Sequence, residues 1–149
     1  EHPFSFSSSS EGKGPIEFAI KELGDFTATI QRLEAGQPVY VDGPYGAFVP
    51  DRFGDIDTLV LVAGGVGIAP MMSILRTMAD RGDTTPVVLL YGTQEWDEAA
   101  FREELAELEQ ASLTNLQKTK IGRASRMAVI VVSLVDGLSP FLSSLIVLA

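Results

Sequence analysis

The sequence predicts an α/β protein in which a parallel sheet follows a smaller segment of antiparallel strands. Two observations predict the parallel part. Residues 59–63 and 87–91 are short apolar runs, and each is followed by a glycine-containing turn and a helical pattern, over 70–80 and 97–110 respectively. Strands that alternate with helices require a parallel sheet. The run 59–63 has no period of two, which is typical of a strand buried on both faces.

The segment before residue 57 has a different pattern. Residues 16–20 alternate apolar and other residues, as in a half-buried antiparallel strand, and 39–41 read as another short strand. A short helix is predicted over 28–33, with Asp25 or Thr27 as its cap. The serine run 7–10 is expected to be a solvated loop. Residues 48–57, rich in Asp, Gly and Pro, predict a boundary between domains 1–56 and 57–149.

The composition limits the classes of function. A net charge of −9 argues against a nucleic-acid partner, because phosphate binding needs Lys and Arg. The chain has no cysteine and a single histidine, which argues against thiolate sites, a His-rich metal site or a Ser-His-Asp triad, so no metal site is predicted. The chain begins without an initiator Met, as expected of a fragment. The acidic residues of the second helix are expected to form a solvated surface; they are Glu98, Glu103, Glu104, Glu107 and Glu109.

Residues 64–71 carry the pattern most relevant to function. Gly64, Gly65 and Gly67 follow the strand, and glycine permits positive φ and a close approach of backbone to ligand. Pro70 suits the first turn of the following helix. The free N–H groups and the dipole of that helix favour a phosphate. The spacing is not G-x-G-x-x-G, so a plain βα turn is the alternative on this stretch alone. Convergence with the turn at 92–96 favours a ligand site.

Taken together, the motifs within residues 1–110 resemble the ferredoxin-reductase-like flavoprotein family, and most of all the branch in which the flavin domain follows a ferric-reductase-type membrane domain. The motifs are H-P-F-S at 2–5, G-D-F-T at 24–27, D-G-P-Y-G at 42–46, G-G-V-G-I-A-P-M at 64–71 and Y-G-T-Q at 91–94. The resemblance implies that 1–56 is part of a small antiparallel flavin-binding β-barrel. It implies that 57–149 is a Rossmann-like, incomplete NAD(P)-binding domain with an atypical tail from about 118.

The resemblance also implies which residues bind cofactors. Phe4 would pack on the isoalloxazine of FAD, and Ser5 would bond near its reactive nitrogen as the nearest thing to a catalytic residue. Thr27 would hold the pyrophosphate, although a plain helix cap is the alternative. The set in the barrel segment comprises His2, Pro3, Phe4, Ser5, Gly24, Phe26, Thr27 and Tyr45. The set in the NAD(P)-binding domain comprises Gly64, Gly65, Val66, Gly67, Ile68, Pro70, Met71, Gly92, Thr93 and Gln94.

The function that the resemblance implies is flavin-dependent electron transfer. NAD(P)H would reduce FAD, and the electrons would pass singly to haem, iron or an iron–sulfur partner. The resemblance also implies that this partner could be a membrane domain, which the protein would meet at its cytoplasmic face. The turn after the second strand has Glu95 and no base before Arg102, which favours NADH, because a 2′-phosphate needs Lys or Arg. The alternatives are an inactive or nucleotide-binding-only remnant, and a module that needs a membrane partner.

The tail from residue 118 departs from the family pattern. Residues 1–117 carry 19 acidic residues against 7 Lys and Arg, whereas 118–149 carry 1 against 4, and no Cys-Gly-Pro strand end is present. Three interpretations stay open. Residues 127–134 are a third parallel strand, or 127–149 crosses a bilayer, which takes ~20 residues, or the tail is a non-native sequence.

Overall fold

The computed structural model describes residues 2–93, 97, 99–109 and the backbone of 127–133. Three strands, β1 (Leu59–Gly64), β2 (Val87–Thr93) and β3 (Met127–Ser133), form a parallel sheet in the order β1-β2-β3. Before the sheet lies the short helix α1 (Asp25–Ile30). Helix α2 (Ile68–Arg81) connects β1 to β2, and helix α3 (102–109) lies between β2 and β3 in sequence. The α/β class and the two strand–helix repeats are therefore confirmed.

The core lies between the sheet and the two helices of the C-terminal part. Leu89 in β2 and Met72 in α2 have no exposed surface, and Leu105 of α3 joins the same cluster. Both helices thus cover one face of the sheet, as expected when crossovers of the same hand connect strands placed in sequence order. Gly82, in the left-handed conformation at φ 68, ends α2. The packing fixes the start of α2 against the carboxyl ends of the strands.

The prediction that β1 is buried on both faces is wrong. Leu61 and Ala63 are buried against α2, whereas Val60 and Val62 are 57% and 65% exposed. An unbroken apolar run cannot distinguish a two-sided strand from a one-sided strand with apolar outer residues. Among the described residues, only one face of β1 is covered.

The two strands predicted in the N-terminal segment do not form among the described residues. Residues 16–20 make a single antiparallel bridge, Phe6 with Phe18, and 39–41 are exposed and have no ladder pairing. A strand needs a neighbour for its backbone groups, and the described part of the chain offers one only at this bridge. Of the predicted flavin-binding barrel, the fold therefore shows this one pairing.

The helix predicted over 28–33 begins three residues earlier, as α1. Gly24 is its N-cap residue at φ 105, without a side-chain capping bond, so neither Asp25 nor Thr27 is the cap. The Thr27 hydroxyl instead accepts a bond from the Leu23 N–H at 2.7 Å and donates to the Gly24 carbonyl at 3.0 Å. Glycine permits the positive φ at which the chain enters the helix.

The strand β3 agrees with the first of the three interpretations of the tail. Its seven residues pair in parallel with β2, from Val87 opposite Met127 to Thr93 opposite Ser133. Over the described residues, no helix has the length and apolarity to cross a membrane. Residues 110–126 and 134–149 lie outside the described part, as does the question of whether that sequence is native.

Candidate functional site

The turn between β1 and α2 has the geometry of a phosphate-binding turn. β1 ends at Gly64, Gly65–Gly67 form one 3₁₀ turn, and α2 begins at Ile68 with Gly67 as N-cap residue and no side-chain capping bond. Ile68 and Ala69 are buried and anchor the first turn of α2 in the core. The first N–H groups of an uncapped helix have no intrahelical partner. This end of α2 can therefore donate to an anion.

The three glycines leave the space in front of this turn open. Gly65 has φ +50, which side chains rarely adopt, so glycine is required there by the backbone. Gly64 and Gly67 have ordinary φ values of −128 and −60. A Cβ added at any of the three would meet no described atom within 4 Å. Crowding within the described chain thus does not require glycine at Gly64 or Gly67, and the space in front of the turn has room for a ligand against the backbone.

The second βα turn meets the first at the same edge of the sheet. Gly64 and Gly92 are register partners in β1 and β2, as the sequence predicts. Tyr91 beside them is only 1% exposed; its burial raises its pKa, and a bond from the Ala100 N–H opposes this in part. Thr93 is half-buried at the end of β2. Gln94, with the acidic residue and tryptophan after it, lies outside the described residues, so the NADH preference stays a prediction.

The side chains around the turn differ in burial. Met71 is buried in the core, and Pro70 is half-buried in the first turn of α2, the position that the sequence predicts for it. Val66 is 42% exposed at the tip of the turn. Among the described residues of this set, Val66 has the most exposed side chain.

Three aromatic rings from the two N-terminal motifs lie together. The His2 and Phe26 rings are stacked with centroids 3.6 Å apart and 3° between their planes, and the Phe4 centroid is 6.3 Å from that of Phe26. Phe4 and Phe26 are 37% and 43% exposed, so neither is a core residue. Exposed parallel rings present faces on which a planar ligand can stack. The cluster fits an aromatic ring system such as a flavin or an adenine.

Of the remaining residues assigned to the barrel segment, Thr27 is half-buried and the others are exposed. Pro3 and Ser5 flank Phe4 at the surface, and Ser5 is accessible to a ligand. The Thr27 hydroxyl already donates to a backbone carbonyl, so it would have to exchange that partner to donate to a phosphate. The Tyr45 hydroxyl donates to Asp42 Oδ1 at 2.6 Å, which raises the Tyr45 pKa, and its ring is 79% exposed. The roles of these residues stay predictions.

One junction was not anticipated from the sequence. The loop expected to be solvated packs on α2: Ser7 is 1% exposed, and the Ser10 N–H donates to Thr77 Oγ1 at 2.9 Å. Beside it, Arg76 of α2 bonds the Ser7 carbonyl, and Glu104, expected on a solvated surface, faces Arg76. The prediction that these two places are merely solvated is therefore wrong.

The charge of Arg76 is stabilised by its neighbours. The hydrogen bond to Glu104 contributes most to the raised Arg76 pKa, partial burial opposes it, and Glu17 adds to the rise. No sequence signal identifies this junction, because its partners lie far from Arg76 in the chain. Among the residues that the structure describes, no group of three His, Asp or Glu side chains could hold a metal ion.

Part of this chain is similar to a known family of domains. Residues 61–128 match the family model of the oxidoreductase NAD-binding domain. Over 108 residues, the chain is 34% identical to sulfhydrogenase 2 subunit gamma of Pyrococcus furiosus, covering 72% of this chain and 37% of that protein. It is 32% identical to the reductase component of propane 2-monooxygenase of Rhodococcus jostii, covering 70% and 29% of the respective chains. It is 33% identical to NADH-cytochrome b5 reductase 1 of Cryptococcus neoformans, covering 68% and 35%.

A solved structure has the same fold. The cytochrome b5 reductase domain of Ulva prolifera nitrate reductase superposes with a TM-score of 0.68 at 24% identity, covering 92% of this chain and 54% of that one. The chain spans about a third of the length of the curated relatives it matches. The matched segment is therefore similar to oxidoreductase NAD-binding domains, and the likeness to the solved structure concerns the fold.

Proposed function

We propose that the protein takes electrons from NAD(P)H onto FAD and passes them singly to an acceptor that holds haem, iron or an iron–sulfur cluster. The observation that carries this proposal is the open glycine face of the turn between β1 and α2, beside Gly92. The names of the matched relatives support it, because they include a monooxygenase reductase component and an NADH-cytochrome b5 reductase.

In this proposal the nucleotide lies across the carboxyl ends of β1 and β2. Gly64, Gly65 and Gly67 bring the backbone close to the pyrophosphate, and the N–H groups at the start of α2 donate to it. Gly92 and Thr93, at the end of β2, lie on the side of the adenosine ribose. These groups bind and orient the dinucleotide, and none of them needs to gain or lose a proton.

The flavin lies against the N-terminal motifs in this proposal. The exposed faces of Phe4 and Phe26 stack with its rings, and Ser5 donates a hydrogen bond near its reactive nitrogen. FAD, when bound, supplies the two-electron chemistry that connects a hydride donor to one-electron acceptors. The protein holds the two ring systems in contact and excludes water between them. The division into domains 1–56 and 57–149 follows from this proposal.

The proposal also specifies the electron acceptor, its location and the preferred nicotinamide donor. The H-P-F-S motif is similar to that of the ferric-reductase branch, so we propose an acceptor of that kind, in a membrane domain met from the cytoplasmic side. NADH is the preferred donor in this proposal, because Glu95 would repel a 2′-phosphate. These features distinguish the proposal from a reductase with a soluble partner.

One observation favours a second candidate function, a protein that binds a nucleotide and does not transfer electrons. The strands predicted over 16–20 and 39–41 make only one bridge among the described residues. A flavin site of the family's kind needs a closed barrel wall. The second candidate keeps the nucleotide turn and lacks the flavin.

Two binding measurements separate these functions. The protein is mixed with excess FAD and passed through a gel-filtration column, and NADH binding is then measured by titration calorimetry. Retained flavin together with NADH binding supports the reductase. NADH binding without retained flavin supports the second candidate, and the absence of both contradicts the two functions alike.

A further inference from the structure

Arg76 contacts three separate parts of the chain with one guanidinium group. Its Nη1 donates to the Ser7 carbonyl at 2.9 Å and to Glu17 Oε2 at 2.6 Å. Its Nε and Nη2 donate to the two carboxylate oxygens of Glu104 at 2.8 and 2.6 Å. Its Cζ lies 5.3 Å from the centroid of the Phe101 ring. The planar fork of arginine is suited to such a junction, because its donors point in several fixed directions.

The N-terminal partners of Arg76 belong to one small paired unit. The Ser7 N–H donates to the Glu17 carbonyl at 2.9 Å, and the neighbouring Phe6 and Phe18 form the antiparallel bridge with ring centroids 5.0 Å apart. Arg76 therefore bonds both segments of this antiparallel pair, the one at Ser7 and the one at Glu17. Because Ser5 lies two residues before Ser7, the pair also limits where the flavin-side motif can lie.

The other partners of Arg76 belong to the nucleotide side. Arg76 lies in α2, which directly follows the glycine-containing turn at 64–67, and Glu104 lies in α3, which follows β2 in sequence. One side chain thus connects the two helices behind the nucleotide turns to the segment that carries the flavin-side motif. The Arg76 and Glu104 side chains are only 25% and 33% exposed, so solvent weakens this pair less than a fully exposed one.

A second group of contacts joins the N-terminal segment to the C-terminal end of α2. Lys13 Nζ donates to the Asp80 carbonyl at 2.8 Å, and Arg81 pairs with Glu11 at 2.6 Å and with Asp51 at 2.9 Å. These contacts lie nearer the C-terminal end of α2, and the Arg81 side chain is 41% exposed, against 25% for Arg76. Exposed ion pairs contribute little and are screened by salt. Of the two arginines, Arg76 is the less exposed, and it bonds α3 as well as the N-terminal segment.

We propose that Arg76 is a positioning residue: it fixes the flavin-side segment relative to the two nucleotide turns and thereby sets the rate of electron transfer from NADH to FAD, without touching either cofactor. The claim that Arg76 sets the rate of electron transfer rests on the proposed function. The claim that Arg76 fixes the position of the flavin-side segment does not. Loss of Arg76 leaves the carboxylates of Glu17 and Glu104 facing each other without the cation between them, so they repel.

The placement is tested without any cofactor. Because the chain has no cysteine, Lys21→Cys with Thr84→Cys gives two unique sites for spin labels, both exposed, one in each part. The distance distribution between the labels is measured in the otherwise wild-type chain, in Arg76→Met and in Arg102→Met. Arg102 pairs only with Asp97 among the described contacts and is the matched control. We expect a broader or shifted distribution in Arg76→Met alone; an unchanged distribution would overturn the placement.

The rate is tested with variants that preserve the fold. Glu104→Gln and Arg76→Lys weaken the junction, and Glu103→Gln, at an exposed position next to Glu104, is the control. Flavin reduction by NADH is followed by stopped-flow absorbance in the FAD-loaded chain. We expect a rate on the order of tenfold lower in both junction variants, with an unchanged Kd for NADH, because small misplacements slow a reaction without weakening binding. An unchanged rate, or a rate lowered equally in the control, would overturn the proposal.

The two parts fail separately. If the wild-type chain with FAD is not reduced by NADH, the proposed function fails, and the label distances still decide whether Arg76 fixes the placement. If the wild type is reduced and the junction variants are reduced as fast, the proposed function stands and the positioning role is overturned.

Discussion

Gly64 and Gly92 are register partners at the carboxyl ends of β1 and β2, so the two βα turns of the C-terminal part begin side by side. Parallel strands bring their carboxyl ends to one edge of the sheet, where α/β proteins bind their ligands. The pairing of two glycines leaves this edge without side chains between the turns. The pairing of Gly64 with Gly92 at this edge is the feature of the fold on which the proposed nucleotide binding depends.

Gly67→Ala is expected to weaken nucleotide binding without loss of stability. Gly67 has φ −60 and a Cβ there meets no described atom, so alanine fits the backbone. A Gly→Ala change at a compatible site stabilises a protein by about 0.4–1 kcal/mol. The added methyl group would occupy the space proposed for the pyrophosphate, and we expect the Kd for NADH to rise about tenfold or more, equivalent to about 1.4 kcal/mol.

Gly14→Ala is the matched control for that experiment. Gly14 has equally open space at its Cβ position and lies in the N-terminal segment. Both variants are compared with the wild type by urea unfolding and by titration calorimetry with NADH. Equal NADH affinity in the Gly67→Ala variant and the wild type would contradict a ligand against this turn.

Phe26→Ala is expected to reduce retention of FAD. Phe26 stacks on His2 and lies near Phe4, so its removal takes away the centre of the aromatic cluster. Stacking of an aromatic side chain contributes about 0.5–1.5 kcal/mol beyond buried area. Phe53→Ala, at a ring that is 77% exposed in another segment, is the control. If both variants retain as much FAD as the wild type, the cluster is not the flavin-stacking surface.

Two neighbouring residues of β1 test which face of the sheet is covered. Leu61 is 3% exposed, so Leu61→Ala should lower the free energy of unfolding by about 2–5 kcal/mol. Val62 is 65% exposed, so Val62→Thr, which keeps the shape and the β-branch, should change it by less than about 0.5 kcal/mol. A large loss in Val62→Thr, measured by urea unfolding, would show that the second face of β1 is buried after all.

Tyr91 predicts a loss of stability in alkali. Burial raises its pKa above the ordinary value of 10.0, so the folded state holds the phenol proton to a higher pH than the unfolded state does. The contribution is fully present below pH 10.0 and is lost as the pH rises through the folded pKa. Tyr91→Phe should flatten this alkaline loss in urea unfolding, while Tyr40→Phe, at a fully exposed tyrosine, should keep it. An equal slope in all three proteins would contradict a buried phenol.

Local patterns predicted the C-terminal part well. Apolar runs with period-3.6 helices between them gave β1, α2 and β2, and the run over 127–134 is seen as β3. Glycines after a strand predicted the turn at 64–67, where Gly65 has a positive φ that few other residues adopt. These features depend on residues close in sequence, which is why one sequence suffices to identify them.

The errors arise where distant residues decide the outcome. Ser7 reads as part of a polar loop, yet it is buried, and its carbonyl accepts a bond from Arg76, which lies 69 residues away. Glu104 reads as one of a row of exposed acids, and its partner lies 28 residues away on another helix. The strands expected over 16–20 and 39–41 depend on neighbours to pair with, which a local alternation cannot supply.

The visible absorbance of the FAD-loaded chain under anaerobic NADH tests the central claim most directly. The chain is loaded with FAD, freed of excess flavin by gel filtration, and mixed with NADH without oxygen. The account predicts that flavin absorbance elutes with the protein and is bleached when NADH is added. Absorbance that elutes with the protein but stays unbleached, or flavin that does not elute with the protein, would contradict electron transfer by this chain.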